Sequence, residues 1–381
     1  MTQKERFIKT ASFNDPDRAF LLAPWYWNET MERWIIEGLP KDANLCEFFQ
    51  TDEEQDVPFK FNGPYGPYLY PPFEVKIISE TEEYTIECDR DGNTLKLFKD
   101  VERTAMPQWL SYAMKTREDW KRDIKPRFDA KNSDRIPTGA EWQSFVKKAA
   151  QRDYPLGIWC GSFYGWPRSL MGVETLSLMF YEDPKLVHEM CEHIADFFIE
   201  SVTPILKEVS LDFAFIWEDM ACKAGPLCSP VMYKEFMSKP LKRIVEMLHK
   251  HNVYHIIIDS DGNNDVMIPL WLECGITGLR PYEMAAGCDP IKDRRLYGRN
   301  LIIQGGIDKR ALSTTKEAID REILSKVPWL CMQGGYFPQI DHLTPPDISL
   351  DNYIYYSKLM RSVVEDPERY FDEAKKRGFW N

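Results

Sequence analysis

The feature that most constrains this chain is an apolar, strand-like run that ends in carboxylates. Residues 256–258 are three isoleucines, and the polar segment 259–263, Asp-Ser-Asp-Gly-Asn, follows at once. A continuous run of β-branched residues bounded by polar turn residues predicts a strand that is buried on both faces. Two carboxylates at the end of such a strand are costly to hold there without a use. Asp259 and Asp261 are therefore the first candidates for a functional site.

The same arrangement recurs through the second half of the chain. From about residue 136, predicted strands alternate with predicted helices, which is typical of a parallel sheet. In a closed (β/α)8 barrel the carboxyl ends of the strands form one rim where active sites lie, whereas an open sheet focuses ligands at one switch point. An α/β fold of the TIM-barrel type is favoured because many predicted strands end in polar residues, namely Glu218 with Asp219, Asp259 with Asp261, Glu283, Asp308, and Asp341 with His342.

The first third of the chain departs from this repeat. Asp91-Gly92-Asn93 lies between predicted strands 84–88 and 94–99 and is the strongest hairpin signal in the sequence. We therefore expect a single domain, residues 1–381, in which residues 55–135 form an irregular insertion with an N-terminal β-hairpin on the rim of the barrel. Further predictions are helices at 4–18, 117–135 and 187–209, a strand at 19–23, and a helix capped by Ser229.

Composition excludes several classes of function. The chain has 381 residues, of which 44% are apolar, and its net charge is −12. This charge disfavours nucleic acid and anionic membranes as partners. No segment resembles a signal peptide or reaches the roughly 18 apolar residues of a membrane span. The nine cysteines include no C-x-x-C pair and are expected to be reduced, so a cytoplasmic location is expected.

Each carboxylate candidate also has a purely structural interpretation, and both interpretations stay open at this point. Glu218 and Asp219 are either an acid with its neighbour or ion-pair partners of Lys223. Asp259 and Asp261 are metal ligands, an acid–base pair, or caps for the helix that follows them. Glu283 and Asp308 are either site residues or loop anchors.

The remaining candidates are one histidine and several aromatic residues. His342 is the one histidine of six that stands beside a predicted strand end and next to an acid, Asp341. Trp25 and Trp27 follow the predicted strand 19–23, and they either line a pocket or pack the edge of a core. Phe163 and Trp166 follow predicted strand 156–160 in the same way.

Several segments together resemble the uroporphyrinogen decarboxylase superfamily over almost the whole chain. They are RFIKTASFNDPDR at 6–18, MGVETLSLMFYEDPKLVHEM at 171–190, WEDMACKAGP at 217–226, DSDGN at 259–263, GGIDKR at 305–310 and GGYFPQIDH at 334–342. The haem-pathway decarboxylase carries an arginine-rich segment after its first strand to grip substrate carboxylates. At that place this chain has Trp25-Tyr26-Trp27-Asn28-Glu29 and no arginine before Arg33. The chain therefore looks more like the corrinoid-dependent methyltransferase branch.

The resemblance raises the question of whether this chain binds zinc. Branch members that methylate coenzyme M hold zinc through His-x-Cys after one strand and a cysteine near the last strand. Asp259 and Asp261 stand at the His-x-Cys positions here, and Asp341 and His342 stand nearest to the missing cysteine. The resemblance thus makes Asp259, Asp261 and His342 candidate zinc ligands, and the loss of thiolates argues against a thiol as methyl acceptor.

An acidic, aromatic rim suits instead the demethylation of methoxylated aromatics, which is the function that the resemblance implies. A methyltransferase of this kind passes the methyl group to the cob(I)alamin of a separate corrinoid protein. The alternatives are a carboxy-lyase of a small acid, which would need Arg168, Arg280 or Arg310, and a silent binding protein. A homodimer is left open.

The expected roles follow from this chemistry. Asp259, Asp261, His342 and Glu218 are the catalytic candidates, because the leaving oxygen needs a proton or a Lewis acid. A carboxyl group packed among aromatic rings would have a raised pKa. The expected substrate-binding residues are Trp25, Trp27, Phe163, Trp166, Asp219, Lys223, Asn263, Glu283 and Asp341.

Overall fold

A curled sheet of parallel strands forms the centre of the molecule. The structure is a computed structural model, and it describes residues 1–58, 69–99, 106–131, 135 and 138–380. The strands in chain order are β1 (Gln55–Asp56), β2 (Lys76–Glu80), β3 (Tyr84–Cys88), β4 (Thr94–Phe98), β5 (Gln108–Ser111), β6 (Leu156–Trp159), β7 (Phe213–Trp217), β8 (Ala221–Cys222), β9 (Gly225–Pro226), β10 (His255–Asp259), β11 (Gly278–Arg280), β12 (Ile302–Gln304) and β13 (Tyr336–Phe337). The parallel sheet has the order β1-β6-β7-β10-β11-β12-β13. The prediction that the strands ending in polar residues form one parallel sheet is therefore confirmed.

Helices cover the outside of this sheet and connect its strands. They are α1 (Gln3–Ala11), α2 (Asn28–Ile36), α3 (Leu45–Phe49), α4 (Arg117–Asp119), α5 (Gly139–Ala149), α6 (Gly165–Glu182), α7 (Pro184–Glu208), α8 (Pro230–Phe236), α9 (Ser238–Lys250), α10 (Ile268–Glu273), α11 (Pro290–Tyr297), α12 (Lys309–Leu312), α13 (Lys316–Leu324), α14 (Val327–Gln333), α15 (Leu350–Glu365) and α16 (Pro367–Lys376). Among the described residues, no helix is both long and apolar enough to cross a membrane.

The extended segment 19–26 lies between the two edges of the parallel sheet. On one side the Asp52 amide donates to the Leu21 carbonyl over 2.8 Å. On the other side the Thr344 amide donates to the Trp25 carbonyl over 2.7 Å, and Tyr26 forms a parallel bridge with Thr344. The predicted strand 19–23 is thus extended but belongs to no ladder. With this segment in the eighth place, the chain has the predicted (β/α)8 TIM-barrel fold.

One buried carboxylate holds this closure together. Asp52 is 2% exposed, and its two oxygens accept hydrogen bonds from Arg18 over 2.6 and 2.7 Å. Arg6 from α1 adds a third bond of 2.7 Å, and the Leu21 amide a fourth of 2.9 Å. Charge-assisted bonds of this length are strong, and here they compensate the loss of water around three charged groups.

Aromatic side chains fill the amino-terminal end of the barrel. The Phe7 ring of α1 lies 5.0 Å from the Phe213 ring and 6.4 Å from the His255 ring, and these residues begin β7 and β10. Gly157 of β6 makes room for this packing, because a Cβ atom there would lie 2.1 Å from the Phe213 ring. With this end closed by α1, only the carboxyl end of the barrel is left for a site.

A second, antiparallel sheet of four strands, β2-β3-β4-β5, forms the insertion. The hairpin predicted at Asp91-Gly92-Asn93 is confirmed, since β3 and β4 pair across it from Cys88–Thr94 to Tyr84–Phe98. Strand β5 was not predicted. The predicted bounds 55–135 need a correction, because β1 (Gln55–Asp56) pairs with β6 in the barrel. Within those bounds, residues 59–68, 100–105 and 132–134 lie outside the described part of the chain.

Two helix predictions need correction, because the helix predicted at 4–18 ends at Ala11 and the one predicted at 117–135 is shorter than expected. Among the described residues of 117–135, α4 is followed by a π-helix (Trp120–Ile124) and a 3-10 helix (Lys125–Arg127), so helical structure ends at residue 127. The helix predicted at 187–209 is confirmed by α7, and the Ser229 cap is confirmed by a bond from the Met232 amide. The segment before the predicted helix 187–209 contains a further helix, α6, which bends at Gly172. Gly172 has φ of +77°, and a Cβ atom there would lie 2.3 Å from the Tyr112 ring. The insertion therefore packs directly onto this bend of α6.

The closure at Asp52 yields a stability prediction. Asp52→Asn removes the charge that two buried guanidinium groups share, and an unpaired buried charge usually costs roughly 3–5 kcal/mol. We expect the free energy of unfolding, measured by urea denaturation, to fall by that amount. Asp42→Asn, which removes an exposed carboxylate from the loop before α3, is the control. A loss below about 1 kcal/mol for Asp52→Asn would contradict this account of barrel closure.

Candidate active site

A cavity of about 1080 Å³ opens at the carboxyl end of the barrel. The barrel side contributes Trp25, Trp27, Trp217, Asp219, Asp259, Asp261, His342 and Leu343 to its walls. Helix α6 contributes Arg168, Ser169 and Val173, and the insertion contributes Asp89, Arg90, Asp91, Asn93, Met106, Trp109 and Tyr112. Six of the predicted site residues, Trp25, Trp27, Asp219, Asp259, Asp261 and His342, are thus brought together on one cavity.

Asp259 and Arg280 form an ion pair at the bottom of this cavity. They end the neighbouring strands β10 and β11 and are register partners, with Arg280 Nε 3.3 Å from Asp259 Oδ2. Asp259 is 7% exposed, and burial raises its pKa to about 7 against the opposing effect of Arg280. The nearby carboxylates of Asp261 and Asp219 raise it further. Near neutral pH this group therefore exists both as an acid and as a carboxylate.

Arg280 also contacts aromatic rings and a further acid. Its guanidinium carbon lies 5.2 Å from the Trp25 ring centre and 4.7 Å from that of Phe215. Burial raises the pKa of Glu54 to about 7, and Arg280 opposes this rise. Glu54 was not predicted, because no apolar run marks the short strand β1 that follows it. Arg280 is thus a cation held among acids and rings, which leaves it poorly placed to bind a carboxylate ligand.

Asp261 and His342 form a second pair at the cavity wall. His342 Nε2 lies 3.3 Å from Asp261 Oδ2, and both side chains are partly exposed, at 24% and 38%. The imidazole lies 5.4 Å from the Trp25 ring and 6.3 Å from the Trp27 ring. Two tryptophans, an imidazole and a carboxylate therefore meet at one place, where an aromatic ligand can stack beside a proton donor.

The loop that carries Asp261 is held by its own side chains. Asn264 donates from Nδ2 to the Ser260 carbonyl over 2.8 Å and to the Asp261 carbonyl over 3.1 Å. Gly262 has φ of +80°, and a Cβ atom there would lie 2.5 Å from the Ala221 carbonyl carbon. Only glycine satisfies both the turn and this close approach. The segment Asp-Ser-Asp-Gly-Asn-Asn thus encodes a rigid support for the two aspartates.

Asp219 and Arg168 make a third charged pair in the cavity. Arg168 donates from Nη2 to Asp219 Oδ2 over 2.8 Å, and its guanidinium carbon lies 5.4 Å from the Trp217 ring centre. Asp219 has φ of +37°, an unusual conformation for a residue with a side chain. Of the two interpretations left open for Asp219, the ion pair with Lys223 is replaced by one with Arg168.

Glu218 does not line the cavity, which corrects its assignment as a catalytic group. It is fully buried, and its carboxylate accepts bonds from the Tyr164 amide (2.7 Å), the Phe163 amide (3.1 Å) and the Tyr233 hydroxyl (2.9 Å). Burial raises its pKa to about 7 despite these donors. Glu218 is therefore a positioning group that ties the loop after β6 to the end of β7.

Phe163 and Trp166 were expected to bind substrate, but neither is among the residues that line the cavity. Both belong to the hydrophobic core, with exposed fractions of 0% and 2%. The Trp166 ring stacks on Phe128 at 5.6 Å and contacts Phe198 at 4.9 Å. A position directly after a strand does not determine whether an aromatic ring points into the cavity or into the hydrophobic core.

Lys223 and Asn263 also lie away from the cavity walls. Lys223 is exposed on the turn between β8 and β9. The Asn263 side chain accepts a bond of 3.1 Å from the Asp265 amide and so stabilises its own turn. Neither residue is placed to contact a ligand in the cavity.

Glu283 and Asp341 are loop anchors rather than cavity residues. Glu283 accepts a bond of 2.9 Å from the Gly262 amide. Asp341 is fully buried and accepts bonds from the Met284 amide (2.8 Å) and the Lys309 amide (3.2 Å). They connect the rim loops and so support Asp261 and His342 from behind.

Asp259, Asp261 and His342, which the sequence suggested as zinc ligands, do not form a metal site. Across the described part of the chain, no group of three or more His, Cys, Asp or Glu side chains is placed to hold a metal ion. Asp259 pairs with Arg280 and Asp261 with His342, so the three tentative ligands do not converge. No cysteine lines the cavity. The zinc prediction therefore finds no support in this donor set.

The insertion supplies cavity residues that sequence reasoning missed. Asp91, Trp109 and Tyr112 line the same cavity as Asp259, although they lie in a different sheet. The hairpin signal at Asp91-Gly92-Asn93 located the turn but not the surface that it covers. The cavity thus has an acidic barrel wall and a second wall from the insertion.

Comparisons with known proteins agree with this fold. The family model for uroporphyrinogen decarboxylase (URO-D) matches residues 99–363, more than half of the chain. Uroporphyrinogen decarboxylases of Legionella pneumophila strains Corby and Lens are 28% and 27% identical over 131 residues, which is 34% of this chain and 36% of each relative. The matches thus span about a third of the length of these relatives. A solved methyltransferase from Methanosarcina mazei has a TM-score of 0.59 and 13% identity, covering 95% of this chain and 99% of that one.

The raised pKa of Asp259 predicts a pH-dependent effect on stability. Folding lifts this pKa from 3.8 to about 7, so the stability that it contributes is complete below pH 4 and is lost as the pH rises through 7. Asp259→Asn cannot titrate. Its free energy of unfolding relative to the wild type should therefore increase between pH 4 and 8, by roughly 2–4 kcal/mol.

Urea denaturation at several pH values measures this difference. Asp265→Asn, which removes a carboxylate paired with Lys292 outside the cavity, is the matched control from the same loop. A difference between Asp259→Asn and the wild type that stays constant with pH would show that Asp259 does not retain the proton.

Proposed function

The chain belongs to the uroporphyrinogen decarboxylase family, and we propose that it removes the methyl group of a methoxylated aromatic compound and passes it to the cob(I)alamin of a separate corrinoid protein. The observation that carries this proposal is the combination, in one cavity, of tryptophan rings with a carboxyl group that stays partly protonated at neutral pH. A ring-stacking surface and an acid are what an aryl methyl ether needs. Its leaving group is a phenolate, which departs more readily when it is protonated.

The chain's own residues would divide this work between binding and proton transfer. Trp25 and Trp27 stack on the aromatic ring and orient the ether. Asp259, in its acid form, donates a proton to the ether oxygen while the bond from oxygen to the methyl carbon breaks and its electrons stay on the oxygen. His342, held by Asp261, provides a second donor beside the same rings. The corrinoid, bound to its own protein, supplies the nucleophile that accepts the methyl group.

The cavity is open enough for a partner to reach it. Met106, Val173 and Trp109 line the cavity and are also 76%, 40% and 38% exposed. A large cofactor carried by another protein could therefore approach from this side. These residues also mark where a docked partner would exclude water from the methyl group.

The carboxy-lyase alternative needs cations that are available to a substrate carboxylate. Arg168 is paired with Asp219 and Arg280 with Asp259. Arg310 pairs with Asp308, is largely exposed and does not line the cavity. A bound acid would have to break an existing ion pair to use Arg168 or Arg280, which disfavours decarboxylation at the barrel side of the cavity.

The decisive experiment adds a reduced corrinoid protein and a panel of methoxybenzenes, methoxyphenols and methoxybenzoates to the purified chain. We expect corrinoid methylation, followed by its visible absorption, only when the chain and a methoxylated aromatic are both present. Release of carbon dioxide from an acid substrate, with no change in the corrinoid, would replace the proposal with the carboxy-lyase function.

The role of Asp259 yields a kinetic prediction. Asp259→Asn cannot donate a carboxyl proton, so turnover should fall roughly 100-fold or more. Wild-type turnover should decline as the pH rises through about 7, because the acid form disappears, and this alkaline decline should be missing in the residual activity of the variant. Asp265→Asn should keep wild-type turnover. Equal turnover in both variants would remove Asp259 from the mechanism.

A further inference from the structure

The cavity has an acidic surface on each of its two walls. The turn between β3 and β4 contributes Asp89, Arg90 and Asp91, and the barrel contributes Asp219, Asp259 and Asp261. Among the residues that line the cavity, five are aspartates and two are arginines, and Arg280 pairs with one of these aspartates, which leaves a formal excess of two negative charges with neutral histidine. A ligand inside this cavity therefore experiences a net negative potential.

Hydrogen bonds hold the turn of the insertion in place, and they use the carboxylate of Asp89 but not that of Asp91. Asp89 accepts bonds from the amides of Asp91 (2.9 Å) and Asn93 (2.8 Å), and Asn93 accepts one of 3.0 Å from the Ala113 amide. The Asp91 carboxylate, by contrast, has no hydrogen-bond or ion-pair partner among the described residues. It is only partly exposed, and burial raises its pKa to about 6. Asp91 is thus a charge of the cavity wall with no direct partner among the described residues, and the neighbouring Arg90 offsets its charge only in part.

The cations near the cavity are mostly in use. Arg168 binds Asp219 over 2.8 Å, and Arg280 lies 3.3 Å from Asp259. Arg90 is exposed at the turn beside Asp91. A ligand carboxylate would be repelled by Asp91 and would have to compete with an aspartate for Arg168 or Arg280, whereas a ligand cation would neutralise an existing charge.

The aromatic lining favours the same kind of ligand. Trp25 and Trp217 already have the guanidinium groups of Arg280 and Arg168 over their rings, at 5.2 and 5.4 Å. Trp109 and Tyr112 line the insertion side of the cavity, near the turn that carries Asp91. Tryptophan and tyrosine faces attract cations, and most strongly where water is excluded.

We infer that the cavity selects aromatic ligands that carry a positively charged group, such as an ammonium, over those that carry a carboxylate, and that Asp91 is a specificity-determining residue. For methoxylated aromatics this inference rests on the proposed function, and it names the substrate class within it. The preference for charge is independent of the methoxy group and can be measured without it.

The test compares ligands that differ in charge but hardly in size. Dimethoxyphenylethylamine, dimethoxyphenylethanol and dimethoxyphenylpropionate form one series, and phenylethylamine with phenylpropionate forms a methoxy-free pair. Binding to the full chain at pH 7.5 is measured by calorimetry, with no corrinoid protein present. We expect each amine to bind about tenfold or more tightly than the matching acid, and the difference to shrink at high salt.

Asp91→Asn keeps the size of the side chain and the backbone bond to Asp89. It should reduce the ratio of amine to acid affinity to less than half of the wild-type ratio, with unchanged thermal unfolding. Glu82→Gln, which removes an exposed carboxylate from the β2–β3 turn of the same sheet, should leave the ratio unchanged.

The outcomes separate this inference from the proposed function. Acids that bind as tightly as amines in both series, or an affinity ratio that Asp91→Asn leaves intact, would overturn the inference even if methyl transfer occurs. A preference for phenylethylamine without any methylation of the corrinoid would support the inference while the proposed function fails.

Discussion

The carboxylate of Asp52 is the contact on which the closed barrel depends. Two guanidinium groups and one backbone amide converge on it. They come from Arg6 of α1, from Arg18 just before the extended segment that takes the eighth place in the barrel, and from Leu21 within that segment. This segment makes too few backbone hydrogen bonds with the neighbouring strands to hold its position alone. Because Asp52 fixes its beginning, its end is carried to the rim, where Trp25 and Trp27 face His342. The aromatic part of the site is thus set by an ion cluster near the start of the same segment.

The electrostatics of the site follow from the register of neighbouring strands. Asp259 and Arg280 are opposite each other because β10 and β11 pair in parallel and both end at the same level. A buried acid beside a buried cation is held between two states, since desolvation favours the neutral form and the cation favours the charged form. A carboxyl group balanced in this way can release and regain a proton near neutral pH without any movement of the backbone.

The sequence predicted the barrel and part of its rim because both depend on local patterns. An apolar run followed by polar residues locates a buried strand end, so Asp219, Asp259, Asp261 and His342 were found. The direction of a side chain next to a strand end is not local. Side chains alternate along a strand, so Trp217 and Asp219 line the cavity while Glu218 between them is buried beneath the neighbouring loop. The sequence placed Phe163 and Trp166 in the site rather than in the core for the same reason. The acidic turn of the insertion was identified as a hairpin, but its contact with the cavity depends on packing against α6, which no short-range pattern contains.

The bend of α6 at Gly172, against which Tyr112 packs, has a consequence for how such an enzyme changes over evolution. The insertion rests on the barrel at a helix that carries neither of the two acidic pairs, Asp259 with Arg280 and Asp261 with His342. Mutations in the insertion can therefore reshape one wall of the cavity while the wall that carries Asp259 and Asp261 is inherited unchanged. A lineage built in this way can acquire new substrates by varying one short stretch of the gene, and a glycine at position 172 is the condition for keeping that stretch in place.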